Sequence, residues 1–258
     1  MQRLSAVIIS YNEEKNIGRC IRSVQGVADE VIVVDSFSDD NTVGIANSLG
    51  AIVRQLKFEG YIRQKNKAIK LATHDMVLLL DSDEALSEEL AEVVIGAKEN
   101  ALLNAYSMNR CSSLCGKFIK NGLWYPDRKL RLFNRNLGKC GGMDPHDRIV
   151  MDDGIHVEHL QGDLLHYAFE TMQEYLEKNI EVSLIAAQSM YEAGIKRNRW
   201  KILFSPLWAF INGFFLRLGF LDGYKGFLIA FHTANQSYMK YHRLRQLHRQ
   251  GFKKIIWE

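Results

Sequence analysis

Three nearly unbroken apolar runs limit what this chain can fold into: Leu4–Ser10 (LSAVIIS), Glu30–Asp35 (EVIVVD) and Met76–Asp81 (MVLLLD). A strand with one wet face alternates apolar and polar residues, and these runs do not. They read as strands of a parallel sheet covered by helices on both faces. The intervening stretches supply the helices. Within Glu13–Val24, residues Ile17, Cys20, Ile21 and Val24 repeat at helical spacing. Asn41–Leu49 follows Ser38 and Asp39, either of which can cap it. Ala51–Gln55 reads as a further short strand and Ile62–Ala72 as a basic helix. Ser87 is placed to cap Glu88–Lys98, with Glu88 and Glu89 in the first turn where a helix dipole favours acids. Such β-α alternation binds ligands beyond the carboxyl ends of its strands. Those ends carry Tyr11-Asn12, Asp35 and Asp81-Ser82-Asp83.

The middle of the chain changes character. Ala105–Arg110, Lys129–Asn134 and His156–His159 read as short strands of a mixed extension, and Gly141–Arg148 as a loop rich in Gly, Asp and His. From Glu170 onward the pattern is helical: Glu170–Ala193, an amphipathic region around Phe204–Leu221, and Lys225–Leu247. The length of 258 residues suits one large domain with an appendage. The expected division is a catalytic domain over 1–168 and a helical, basic, amphipathic region over 169–258.

Hydrophobic content of 47% and charged content of 24% exclude wholesale disorder. Four scattered cysteines give no disulfide framework, which favours a reducing compartment. Ala6–Ile9 is too short for a secretory signal, and the apolar run Ile202–Leu216 is interrupted by Pro206 and is short of a membrane span. The net charge of +3 conceals an asymmetry. From Lys196 onward there are 12 Lys and Arg against two acids, so this part carries 12 − 2 = +10 and the rest 3 − 10 = −7. Such a tail suits an anionic partner.

Among residues that can carry chemistry, Asp81-Ser82-Asp83 stands out. Two carboxylates at i and i+2 beyond a buried strand can share a hard divalent cation. A phosphatase of the haloacid-dehalogenase type places such a pair on its first strand, and here it is on the fourth. No G-x-G-x-x-G follows the first strand and no G-x-x-x-x-G-K-[ST] occurs, which excludes the usual dinucleotide and P-loop sites. Cys111 and Cys115 lack a second pair for zinc.

VIISYNEEKNI, VVDSFSDDNT, RQKNKAI and VLLLDSDE occur in this order over the first hundred residues. Together they resemble the nucleotide-sugar half of family 2 glycosyltransferases, which have the GT-A fold. YPDRKLRLF, the segment ending in HDRI, LLHYAF and GFLDGYKGF are similar to lipopolysaccharide core glycosyltransferases, best known as β-1,4-glucosyltransferases. The resemblance implies an inverting, metal-dependent transfer of a hexose, glucose from UDP-glucose, onto the lipopolysaccharide inner core. Transfer to polyprenyl phosphate or a peptide, or a silent nucleotide-sugar-binding scaffold, are the alternatives.

By the same resemblance, Tyr11 packs on the uracil ring and Asp35 bonds the uridine. Arg63 and Asn66 line the nucleotide pocket, and Asp81 contacts ribose or a metal-bound water. Asp83 holds Mn²⁺ or Mg²⁺ on the diphosphate, with His166 as a further ligand. Asp147 is the base that takes the acceptor hydroxyl proton, with Asp127 and Asp144 as rivals. In the tail, Phe204, Leu207, Trp208, Ile211, Phe214, Phe215, Leu218 and Leu221 recur at helical spacing, with Lys196, Arg197, Arg199, Lys201 and Arg217 around them. This is the pattern of a helix lying on an anionic membrane, or of one packing on the catalytic domain or a twin subunit. Nucleic acid is not an expected partner, since the aromatics form one apolar stripe. The expected location is the inner face of the cytoplasmic membrane, held peripherally.

Overall fold

The computed structural model describes residues 2–99, 104–143, 146–196 and 198–250. The chain divides into two compact units. The first comprises residues 1–111 and 127–167, and the second residues 112–126 and 168–258.

The first unit opens with β1 (Leu4–Ser10), α1 (Ile17–Val24), β2 (Glu30–Asp35), α2 (Thr42–Ser48), β3 (Ile52–Gln55), α3 (Tyr61–Leu71) and β4 (Met76–Asp81). β5 (Glu84–Leu86), α4 (Glu88–Glu99), β6 (Ala105–Leu114), β8 (Asp127–Asn134), the hairpin β9 (Gly138–Met143) and β10 (His146–Met151), and β11 (Glu158–Phe169) complete it. β6 and β11 run a few residues into the second unit, where the end of β6 pairs with β7 (Lys117–Phe118). The main sheet runs β3-β2-β1-β4-β8-β6-β11-β5, parallel over its first four strands and antiparallel from β4 to β8 and from β8 to β6.

The apolar runs do what their lack of alternation requires. All seven residues of β1 are buried. Leu4, Ala6 and Ile8 pack with Ile17, Cys20 and Ile21 of α1 and Leu90 and Val94 of α4. Val7 and Ile9 join a second core with Ala68 and Ile69 of α3, Phe133, Cys140 and Ile149. Successive side chains of a strand point to opposite faces, so one strand feeds two cores.

Two local readings change. Ser38 and Asp39 do not cap α2, which starts at Thr42; Ser38 instead accepts a bond from Asn12 N at 2.8 Å. Gly141–Arg148 is not a loop as a whole: it lies in the β9–β10 hairpin, with Asp147 opposite Gly142.

The second unit is built from α5 (Met172–Glu192), α6 (Arg199–Ile211) and α7 (Tyr224–Gln250). Thr171 and Glu174 form a reciprocal capping box at the start of α5. Leu114, Ile119, Tyr175 and Ile229 form its core, with Trp124 and Phe169 packed against them. The ammonium of Lys225 donates to the carbonyls of Leu114 and Cys115 at 2.8 and 2.7 Å. The stripe from Phe204 to Leu221 is not one helix. After α6 a π-type turn covers Asn212–Leu216, Leu218 adopts φ 58°, and a 3₁₀ turn covers Gly219–Asp222. A left-handed leucine ends helical spacing, so the apolar side chains sit on consecutive short pieces. Trp200, Leu203, Phe204, Leu207 and Trp208 of α6 are exposed, and no residue of that helix is buried. Among the described residues no helix is long and apolar enough to cross a membrane.

Candidate active site

The parallel registers bring the polar strand ends together: Ser10 pairs with Asp35, and Ile9 with Asp81. Around Asp81 lies a cluster of charges in which every member has at least two partners. Lys65, on α3 and only 3% exposed, reaches Asp81 Oδ1 and Asp147 Oδ2, both at 2.9 Å. Arg131, on β8, donates from Nη2 to Asp81 Oδ2 and to Glu84 Oε1, both at 2.7 Å. Glu84 is fully buried and also accepts the backbone N–H of Asp81 at 3.1 Å. Arg110 lies 3.6 Å from Glu84 and donates to Asp127 from Nε and Nη2.

Burial would raise the pKa of Asp81, but the Arg131 and Lys65 charges overcome it and hold the carboxyl well below the ordinary range. Burial would lower Lys65 and Arg131, yet the carboxylates beside them raise both. The Cys140 thiol lies 3.5 Å from Asp147 Oδ2, and its pKa is pushed up to about 12 by burial and then by that carboxylate. Cys20 sits under the same strand end, 3.7 Å from the Asp81 carbonyl, and burial followed by Glu84, Asp83 and Asp81 raises it too.

Asp83 is separate from this cluster. Its Oδ2 is 3.2 Å from His166 Nε2, and both side chains are partly exposed. The placement of His166 follows from β11. Gly162, at φ 87°, crosses the start of α4 so closely that a Cβ would stand 2.6 Å from Leu90 N. The next residue, Asp163, exchanges bonds with Ser87. β11 then pairs His166 with Glu84, and Tyr167 N donates to the Asp83 carbonyl at 2.9 Å. The Tyr167 ring in turn carries the Arg19 guanidinium at 3.7 Å.

The remaining expected residues divide into two groups. Tyr11 and Arg63 are exposed, Tyr11 on the loop after β1 and Arg63 on α3. Asp35 is fully buried: it accepts from the backbone and hydroxyl of Ser38 and from Gln55 at 3.2 Å, which holds its own loop. Asn66 donates to the Cys140 carbonyl at 2.8 Å and accepts the Cys140 N–H at 3.0 Å, which pins β9 to α3. Asp127 is likewise committed, between Arg110 and Lys129. Asp144 lies outside the described residues. Lys65, Arg131 and Glu84 were not singled out from the sequence. The available signal was Ala68 and Ile69 four residues after Gln64 and Lys65, which places that pair on the buried stripe of α3.

Comparison with known proteins now decides the family. The model described as Glycosyl transferase family 2 matches residues 5–153, more than half of the chain. This protein belongs to glycosyl transferase family 2. It is a glycosyltransferase, and its helix-flanked sheet, parallel over β3-β2-β1-β4 with antiparallel pairs beyond β4, together with a helical C-terminal region is the GT-A arrangement expected from the motifs. A relative named as an uncharacterized glycosyltransferase of Rickettsia typhi is 31% identical over 96% of this chain and 88% of its own length. The lipopolysaccharide core biosynthesis glycosyltransferase LpsC of Rhizobium meliloti is 28% identical over 92% of this chain and 93% of its own. Among solved structures, Staphylococcus aureus TarS residues 1–349 align over 97% of this chain and 92% of that one, with 15% identity and a TM-score of 0.46.

The charge cluster gives a prediction about stability. Lys65→Met leaves Asp81 and Asp147 facing a site without their shared cation, and should cost about 3 kcal/mol of unfolding free energy at pH 7. Asp81 has a depressed folded pKa, so its contribution is fully present above the unfolded value of about 3.9 and is lost as pH falls through the folded value. Denaturant unfolding across a pH series should therefore show wild-type stability dropping below about pH 4. Asp81→Asn should be weaker at neutral pH and flatter in that acid range; equal slopes would remove Asp81 from the account.

Proposed function

We propose that this glycosyltransferase moves a hexose, glucose from UDP-glucose, onto the lipopolysaccharide inner core with inversion, using a divalent metal. The observation that carries the reading is the division of labour around Asp81. On one side Asp83 and His166 form a partly exposed carboxylate–imidazole pair. On the other, Asp147 is held by Lys65 at 2.9 Å through one oxygen, while its Oδ1 has no partner among the described residues.

The donor set of the first pair fits Mn²⁺ or Mg²⁺. A carboxylate oxygen suits either ion and an imidazole nitrogen suits Mn²⁺ better. Asp81 is already neutralised by Lys65 and Arg131, which leaves Asp83 and His166 as the protein ligands. Among the described residues no group of three such ligands occurs, so donor oxygens and water would complete the coordination. The metal supplies neutralisation of the leaving diphosphate. Tyr11 and Arg63 are the exposed groups of the donor side, and Asp81 orients the strand end that bears Asp83. Asp147 Oδ1 takes the proton of the acceptor hydroxyl as that oxygen attacks the sugar carbon. Lys65, 2.9 Å from Oδ2, fixes the position of the Asp147 carboxylate for that task.

The choice of acceptor is supported by the similarity to LpsC over nearly the full length of both chains. A lipid-anchored acceptor also suits the second unit. Trp200, Leu203, Leu207 and Trp208 are more than half exposed, beside Arg199 and Lys201. Trp and Tyr at an apolar face with Lys and Arg around it match an anionic membrane interface. Of the basic residues counted in the tail, Arg197, Lys253 and Lys254 lie outside the described residues.

Three outcomes test this reading. In calorimetric titration, UDP should bind with Mn²⁺ present, and binding should fall about ten-fold or more in EDTA or in Asp83→Ala. Full affinity in chelator would remove the metal. Asp147→Asn should lower turnover of UDP-glucose by roughly two to four orders of magnitude while UDP binding persists. A fully active Asp147→Asn would move the base elsewhere. Wild type should sediment with vesicles containing anionic lipid at low salt, and a folded Trp200→Ser, Trp208→Ser variant should not. If that variant loses a dimer while vesicle binding is unchanged, the face is a subunit contact.

A further inference from the structure

We propose that Phe37 is a stacking platform for the nucleobase of the donor; this rests on the donor-site reading above. Phe37 has φ 63° and is 57% exposed. A bulky side chain in the left-handed region is a genuine outlier, where glycine or asparagine is the ordinary occupant. The ring recovers little by burial, since more than half of it faces solvent.

The conformation is imposed from both sides of the residue. Asp35, two positions earlier, accepts the backbone N–H of Ser38 at 2.9 Å and the Ser38 hydroxyl. Gln64 of α3 donates to the Ser36 hydroxyl at 3.1 Å. Ser38 Oγ accepts Asn12 N–H at 2.8 Å, and Asp39 N–H donates to Asn12 Oδ1 at 3.0 Å. The loops after β1 and β2 are thus stapled together, with Tyr11 and Phe37 as their exposed aromatics. Strain that surrounding bonds over-determine, at a site facing solvent, points to a ligand.

Position selects the ligand. Strand order places β1 between β4 and β2. Two strand spacings, about 10 Å, therefore separate the end of β4, with Asp83, from the end of β2, with Phe37. A nucleoside diphosphate with its phosphates at Asp83 runs along this edge with ribose next and the base farthest out. A base offers an aromatic ring a flat π-face, which gives affinity without demanding one particular base.

The test compares UDP with inorganic pyrophosphate, each titrated with Mn²⁺ into wild type, Phe37→Gly and Phe37→Tyr. Phe37→Gly should bind UDP about five-fold or more weakly. Pyrophosphate, which has no base, should bind as in wild type, and the melting temperature should hold or rise because glycine takes this φ freely. Phe37→Tyr should restore UDP affinity. If Phe37→Gly keeps wild-type UDP affinity, or loses pyrophosphate to the same extent, the platform is refuted while the donor site stands. If wild type binds neither UDP nor pyrophosphate with Mn²⁺ present, the donor site itself is refuted and the platform with it.

Discussion

The Lys65–Asp81–Arg131–Glu84 cluster is the constraint around which the first unit is organised. It ties α3, β4, β8 and β5 together, and through Asp147 and Arg110 it extends to β10 and β6. Charges taken out of water cost several kcal/mol each unless they are closely paired. Here each one is shared between two partners, so no single pair can be moved without stranding another. The arrangement favours one register of the strand ends above all others. Its worth lies in that uniqueness more than in net stability, because an apolar substitute of equal volume is often as stable.

That constraint separates two acids which the sequence presents as a matched pair. Asp81 is spent on cations, and Asp83, two residues on, faces His166. Asp35 and Asn66 serve the same end at one remove, fixing a loop and a hairpin so that neighbouring groups face outward.

The sheet was legible because strands buried on both faces cannot hide their composition, and β1, β2 and β4 match the apolar runs end to end. The hairpin β9–β10 was not, since Gly138, Gly141 and Gly142 lower strand propensity and read as loop. The charge cluster was obscured for a different reason. Lys65 meets Asp147 across 82 positions of sequence, and a lysine on a basic helix reads as solvated until its partner is known. The burial of Asp35 was not legible either, because it is a product of the loop that follows the strand end. The tail stripe misled through Leu218, whose left-handed backbone no periodicity foretells.

The two cysteines nearest the chemistry have a consequence for how this enzyme tolerates its surroundings. Thiolates, not thiols, react with peroxides and alkylating agents. Cys20 and Cys140 are both buried, and burial followed by the neighbouring carboxylates raises the pKa of each thiol. Both burial and the raised thiol pKa disfavour their reaction with oxidants. Cys115, partly exposed in the second unit, is the thiol a maleimide reaches first. A fluorophore placed there labels the second unit, while Cys20 and Cys140 in the first stay buried.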